Sequence, residues 1–266
     1  MGKKLNNAPV FYTVAQVHFN PILNLEAYIP AIQERLRKEH FPVFKHELVQ
    51  RFVLPFGQAD AAQSAAGSLP FASQSRFVFG NIQDTELFLV ETNAMSFQTS
   101  NYETFETFSA TLLKGLSILN DALGLDFVER IGLRYLDAVQ PSKESESLKD
   151  FLVPEVLGLS FRSGGQLLQS ISETTVATGA GQLVSRVVIR DGHVGLPQEL
   201  TGHTPAIAPR FTQAAGPHAI IDADASIAQR EAFELSKVST QLSALHDEID
   251  RSFRATVTEY AMASWA

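Results

Sequence analysis

A chain of 266 residues and 29.2 kDa has room for one large domain or two modest ones. Its 45% hydrophobic, 9% aromatic and 19% charged residues are those of a globular protein and exclude a disordered one, and with no cysteine there is no disulfide framework, thiolate chemistry or zinc ribbon. A formal net charge of -8 and a pI of about 5.4 exclude a broad, unspecific nucleic-acid binder and leave room only for a local basic stripe.

In chain order, residues 9–20 are rich in Val, Phe and Tyr and predict a strand closed by Pro21. Leu25, Tyr28, Ile29, Ile32 and Leu36 recur at helical spacing, with Pro30 confined to the first turn, where it displaces no carbonyl. A second strand is expected over 43–54. Residues 55–75 hold no Lys or Arg and predict a long surface loop. Segments 76–79 and 86–92 flank a polar turn at 80–84 and predict a hairpin. Ser100 and Glu103 have the spacing of a capping box, followed by Tyr102, Phe105, Phe108, Leu112, Leu116, Leu119 and Leu123 at steps of three and four. Gly124 stands where a left-handed C-cap belongs. Residues 126–140 predict another strand, closed by Pro141.

The polar stretch 142–150 is the expected junction between two halves, 1–141 and 151–266, packed as one globular unit. Two hairpins are expected next, 159–162 with 166–176 through Ser163-Gly164-Gly165, and then 166–176 with 183–190 through Gly179-Ala180-Gly181. Residues 191–217 carry four Gly and four Pro and predict a mobile loop. A short strand follows at 219–225. The chain closes in a helix read from 236 to about 264, with an apolar stripe of Val238, Leu242, Leu245, Ile249, Phe253 and Val257. Asp247 with Arg251 and Asp250 with Arg254 add i,i+4 pairs. The expected fold is α+β: mostly antiparallel sheets with covering helices, as two ferredoxin-like halves, and a long C-terminal helix.

The most informative segment is the strand 130–137. With a period of two, Phe127, Ile131, Leu133, Tyr135 and Val139 point into a core, while Val128, Arg130, Gly132, Arg134 and Leu136 point the other way. Two guanidiniums flanking a glycine make a donor-rich strip that a carboxylate or phosphate can approach. The competing reading is that both arginines pair with acidic residues of neighbouring elements. Arg186 and Arg190, four apart on another strand, share a face in the same manner and join the ligand- or partner-binding candidates; Arg162 is a fifth strand arginine.

Arg130-x-Gly132-Leu133-Arg134-Tyr135, the opening Leu5-Asn6-Asn7-Ala8-Pro9-Val10, Ile221-Asp222-Ala223-Asp224, and Leu245-His246-x-x-Ile249-x-x-x-Phe253 occur in the sequence at these positions. Together they resemble a sporadically distributed family of uncharacterised bacterial proteins of about this length. The resemblance implies a cytoplasmic α+β protein carried with mobile or antiviral-defence genes, and it supplies no catalytic residues.

Asp222 and Asp224 sit two apart and, with His203 and His218, form a metal set that can be drawn; His193 opens the same loop. Nine residues separate His193 from His203 and 14 separate His203 from His218, which matches no compact ligand motif, so no metal or cofactor is expected. Acidic residues that protect a sheet edge account better for the aspartates. His246 and His18 read as hydrogen-bonded structural residues. There is no phosphate loop, Gly-x-Ser-x-Gly or His-Glu-x-x-His. The basic first residues lead into no apolar segment, so no signal peptide is expected, and no apolar run long enough to span a membrane occurs. The leading expectation is a non-catalytic binding or assembly protein of the bacterial cytoplasm that engages a protein partner or a second copy of itself. The alternatives are an RNA- or nucleotide-recognising ferredoxin-like module and a metal-dependent enzyme.

Overall fold

The computed structural model describes residues 7–52, 71–200 and 202–266. The chain runs β1 (Val10–Phe19), a 3-10 turn (Leu25–Tyr28), α1 (Ile29–Lys38), β2 (Val43–Phe52), β3 (Phe71–Gly80), β4 (Glu86–Glu91), β5 (Ala94–Thr99), α2 (Phe105–Leu123) and β6 (Phe127–Val139). It continues through α3 (Leu148–Phe151), α4 (Pro154–Leu157), β7 (Gln169–Thr178), β8 (Gly181–His193), α5 (Pro209–Thr212), β9 (Ala215–Ala232), α6 (Leu235–Thr256) and α7 (Glu259–Trp265). The fold is α+β, and the nine strands among the described residues belong to one antiparallel sheet ordered β2-β3-β4-β5-β1-β6-β9-β8-β7.

The two expected halves therefore share a single sheet rather than owning one each, because β6 of the first pairs along its length with β9 of the second. One face of the sheet carries the main core. Ala15, Val17 and Phe19 of β1 and Ile131, Leu133 and Tyr135 of β6 meet Leu112, Leu116 and Leu119 of α2 and Val238, Leu242, Leu245 and Ile249 of α6. Four buried apolar side chains on α6, at about 1.5 kcal/mol or more each, tie that helix to the sheet. Val139, Val187 and Ile189 carry a second apolar cluster with Phe151 and Trp265 on the same side. On the opposite face, residues 194–200 and 202–214 lie over the sheet, and Val194 and Phe211 pack on Tyr12, Leu136, Ala138 and Ile220.

Several expectations are corrected. Residues 71–75 are strand, not loop; the rest of the expected loop, 55–70, lies outside the described residues. β5 escaped notice because all six of its residues are buried, so it shows no polar alternation. Thr104, not Ser100, caps α2: its hydroxyl accepts the Thr107 N–H at 3.2 Å, whereas Ser100 donates to the Ala206 carbonyl at 2.6 Å. Gly124 does end α2 in the left-handed region, at φ 62°. A bulge between Val128 and Arg130 turns Val128 into the core and leaves Phe127 under the Arg230 guanidinium.

Residues 159–168 make turns instead of the first hairpin; Leu159, Phe161 and Leu168 are exposed, so no buried face exists to hold a strand, and Arg162 is not a strand residue. The expected mobile loop is shorter and anchored, since β8 and β9 stay paired out to His193 and Ala215. β9 runs well past 219–225 because it pairs with β6 and β8 on its two sides. The terminal helix is broken: Val257 is extended, Val153 donates to the Thr256 carbonyl and Thr258 to that of Phe151, and Thr258 then caps α7. Asp250 pairs with Arg254 as expected, but Arg251 turns to Glu248 instead of Asp247. No helix among the described residues is long and apolar enough to cross a membrane.

Candidate binding site

Alternation along β6 puts Arg130, Gly132 and Arg134 on the face opposite the main helices, beside Val14 and Gln16 of β1 and Asp222 and Asp224 of β9. There they border a polar cavity of about 360 Å³, bounded also by Ser96 and Gln98 of β5, Arg76 of β3, Glu91 of β4 and the segment around Glu199 and His203. Glu199, Leu200, Gly202, His203 and Thr204, from the Gly- and Pro-rich stretch between β8 and β9, make one wall of the cavity.

The strip divides into two arginines with different fates. Arg134 is committed. Its Nε and Nη2 donate to the two carboxylate oxygens of Asp222, each at 2.7 Å, and Nη2 also reaches Glu199 at 2.8 Å. Asp222 is 3% exposed at its side chain and takes a further bond from Arg186 Nη1 at 2.9 Å; Arg186 in turn donates to Glu173 at 2.6 Å. Burial alone would lower the Arg134 guanidinium, but the Asp222 and Glu199 carboxylates outweigh it and hold it above its ordinary value. This is an ion-pair chain laid across β6, β9, β8 and β7, and it fixes their relative positions.

Arg130 is free of such ties. It makes no hydrogen bond or ion pair to another described residue. Its guanidinium instead lies along its own strand over Gly132, where a Cβ would stand 3.0 Å from Nη1. Gly132 has a backbone conformation that any residue adopts, so the absence of a side chain there serves space rather than strain. Asp224, half-buried on the neighbouring strand, is equally without a hydrogen bond among the described residues. Burial raises its carboxyl above the usual range, against the pull of Arg134 and Arg130. The other charges of the wall are spoken for: Arg76 donates twice to Glu91, at 3.0 and 2.9 Å.

The remaining sequence candidates disperse. Arg190 donates to His218 Nε2 at 3.2 Å while His218 Nδ1 faces the Gly216 carbonyl at 3.0 Å. Burial lowers the His218 pKa, which suits a neutral ring with its lone pair on Nε2 turned to the arginine. His203 sits instead between Glu47, 2.9 Å from Nδ1, and Lys45, 3.4 Å from Nε2. His193 Nδ1 lies against the Thr212 carbonyl. Asp222, Asp224, His203 and His218 thus do not gather, and no set of three metal-ligating side chains forms among the described residues.

Sequence reading missed Gln98 and Ser96 on the concealed β5, and it missed a second polar group under the helices. Tyr135 donates to the Tyr102 hydroxyl at 3.1 Å and lies 3.3 Å from His246 Nδ1, whose ring stacks on Phe105 at 4.2 Å. Burial lowers the His246 pKa and raises those of both tyrosines, so all three are neutral near pH 7. Asp137, buried nearby, has its carboxyl pushed up to about 7 by desolvation. No protein-family model matches the chain, and no curated protein matches it significantly.

Proposed function

We propose that this is a non-catalytic binding protein of the bacterial cytoplasm, and that it recognises its ligand in the cavity beside Arg130. The observation that carries this reading is the contrast within one strip: Arg134 is consumed by two carboxylates, while Arg130, four residues away on the same face, has no hydrogen-bond or ion-pair partner among the described residues and stands at a cavity wall. A half-buried guanidinium with its donors unspent is poorly compensated unless something else meets it. Binding is favoured over metal-dependent chemistry because Asp222, His203 and His218 are each engaged by other side chains. It is favoured over nucleic-acid recognition because Arg134, Arg186 and Arg190 are turned to neighbouring side chains on the sheet. The Arg130-x-Gly132-Leu133-Arg134-Tyr135 strand supports membership of the sporadically distributed bacterial family, and with it a role beside mobile or defence genes.

The test uses wild type and Arg130→Gln, each equilibrated with the small-molecule fraction of a bacterial extract, desalted, denatured and analysed by mass spectrometry. At least one compound retained by wild type and lost from the variant is expected. Identical retained profiles would refute the reading.

A further inference from the structure

Charge matching inside the cavity points to the charges of the ligand. Three arginines and three carboxylates line it. Arg76 is matched by Glu91, and Arg134 by Glu199 together with Asp222 behind it. What remains is one group of each sign, Arg130 and Asp224, and neither has a hydrogen-bonding or ion-pair partner among the described residues. They feel each other electrostatically, yet no nitrogen–oxygen contact within 4.0 Å joins them. The Arg130 side chain is long enough to swing, so the open gap follows from its seat over Gly132.

We propose that the cavity takes a zwitterionic small molecule, a free amino acid or short peptide, with its carboxylate on Arg130 and its ammonium on Asp224. The proposal rests on the binding reading above and narrows it. An anion alone would leave the Asp224 carboxylate without a partner, a cation alone would leave Arg130, and an uncharged ligand would leave both. A volume of about 360 Å³ lies at the small end of ligand pockets, as an amino acid or dipeptide requires. Uncharged hydrogen-bonding groups complete the wall: the Gln98 carbonyl is fixed by the Tyr12 hydroxyl at 2.9 Å, with Ser96 and Gln16 beside it. Burial raises the Asp224 carboxyl; an arriving ammonium reverses that, so uptake releases a proton and tightens as pH rises through the range where Asp224 ionises. The groups facing Asp224 in this titration are Arg134 and Arg130 from β6, Asp222 from its own strand and Arg186 from β8.

The probes are the standard amino acids, diglycine and triglycine, each beside its N-acetyl and its C-amide derivative, titrated calorimetrically into the wild-type chain. At least one free zwitterion is expected to bind, and blocking either end is expected to weaken it at least tenfold. In Arg130→Gln the C-amide should bind as well as the free form, and in Asp224→Asn the N-acetyl form should do so. Because the blocked series uses the wild-type protein, a variant that fails to fold leaves the test intact. The proposal is overturned if no free zwitterion binds, or if an N-acetyl or amide form binds wild type as tightly. A retained extract compound that lacks an ammonium group would overturn the zwitterion and leave the binding reading standing; no retained compound at all would remove both.

Discussion

Replacing Arg134 with Gln separates its architectural role from the free role of Arg130. In the structure Arg134 holds Asp222 through two bonds of 2.7 Å, with the arginine side chain 11% and the aspartate 3% exposed. Glutamine cannot span that fork, so the variant leaves a buried carboxylate served by Arg186 alone and releases Glu199. Breaking a buried pair from one side costs about 3 kcal/mol or more. For a chain of this size such a loss lowers the melting temperature by about 6–12 °C. Arg130→Gln removes no hydrogen bond or ion pair among the described residues and should melt within roughly 1–2 °C of wild type. Differential scanning calorimetry of the two variants beside wild type reads both numbers. If Arg134→Gln melts like wild type, or Arg130→Gln falls as far as Arg134→Gln, the division of the strip is wrong.

Asp137 makes stability pH-dependent. Its carboxyl binds its proton more tightly folded, at about 7 against 3.8, so the contribution of Asp137 to stability is full below pH 4 and is lost as pH rises through about 7. The loss reaches at most ~4 kcal/mol, and Asp137→Asn should remove it; denaturant melts at pH 5 and pH 8 that show no such difference between variant and wild type would count against this. Gly115→Ala places a Cβ 2.4 Å from the Phe88 ring and 2.8 Å from Met95, so a loss of ~1–3 kcal/mol in a urea melt should outweigh the gain in helix propensity. Thr104→Ala removes the cap of α2 and should cost about 1 kcal/mol with the first turn's amides exchanging faster, whereas Ser100→Ala leaves those amides protected; equal exchange in both would reassign the cap.

Periodic, half-buried elements were legible in the sequence. β1 and β6 lie within a residue of their expected bounds, and α1 and α2 carry the expected apolar stripes, although Leu25–Tyr28 form a 3-10 turn and α2 begins only at Phe105. β5 was concealed because burial on both faces erases alternation. The break between α6 and α7 was concealed because it arises from hydrogen bonds to Phe151 and Val153, far away in sequence. The site was legible to the level of the strand: alternation placed Arg130, Gly132 and Arg134 on one face. The partners of each arginine were not legible, since they depend on which strands flank β6, and β9 comes from the other half of the chain. That pairing set Asp224 directly across from Arg134 and Asp222 within reach of the same guanidinium, and so turned two nominal metal ligands into a cavity-wall residue and an ion-pair member.

The central claim, that Arg130 seated over Gly132 forms a recognition site, is tested most directly by Gly132→Ala. The added methyl lies 3.0 Å from the Arg130 guanidinium, at the far end of a flexible side chain, so the arginine must give by a few tenths of an ångström and loses its open seat over the strand, with no charge removed and no backbone strain. Mass spectrometry of compounds retained from the same extract should show Gly132→Ala losing what Arg130→Gln loses, with a melting temperature near that of wild type. A Gly132→Ala protein that folds normally and retains the wild-type compounds undiminished would contradict the account.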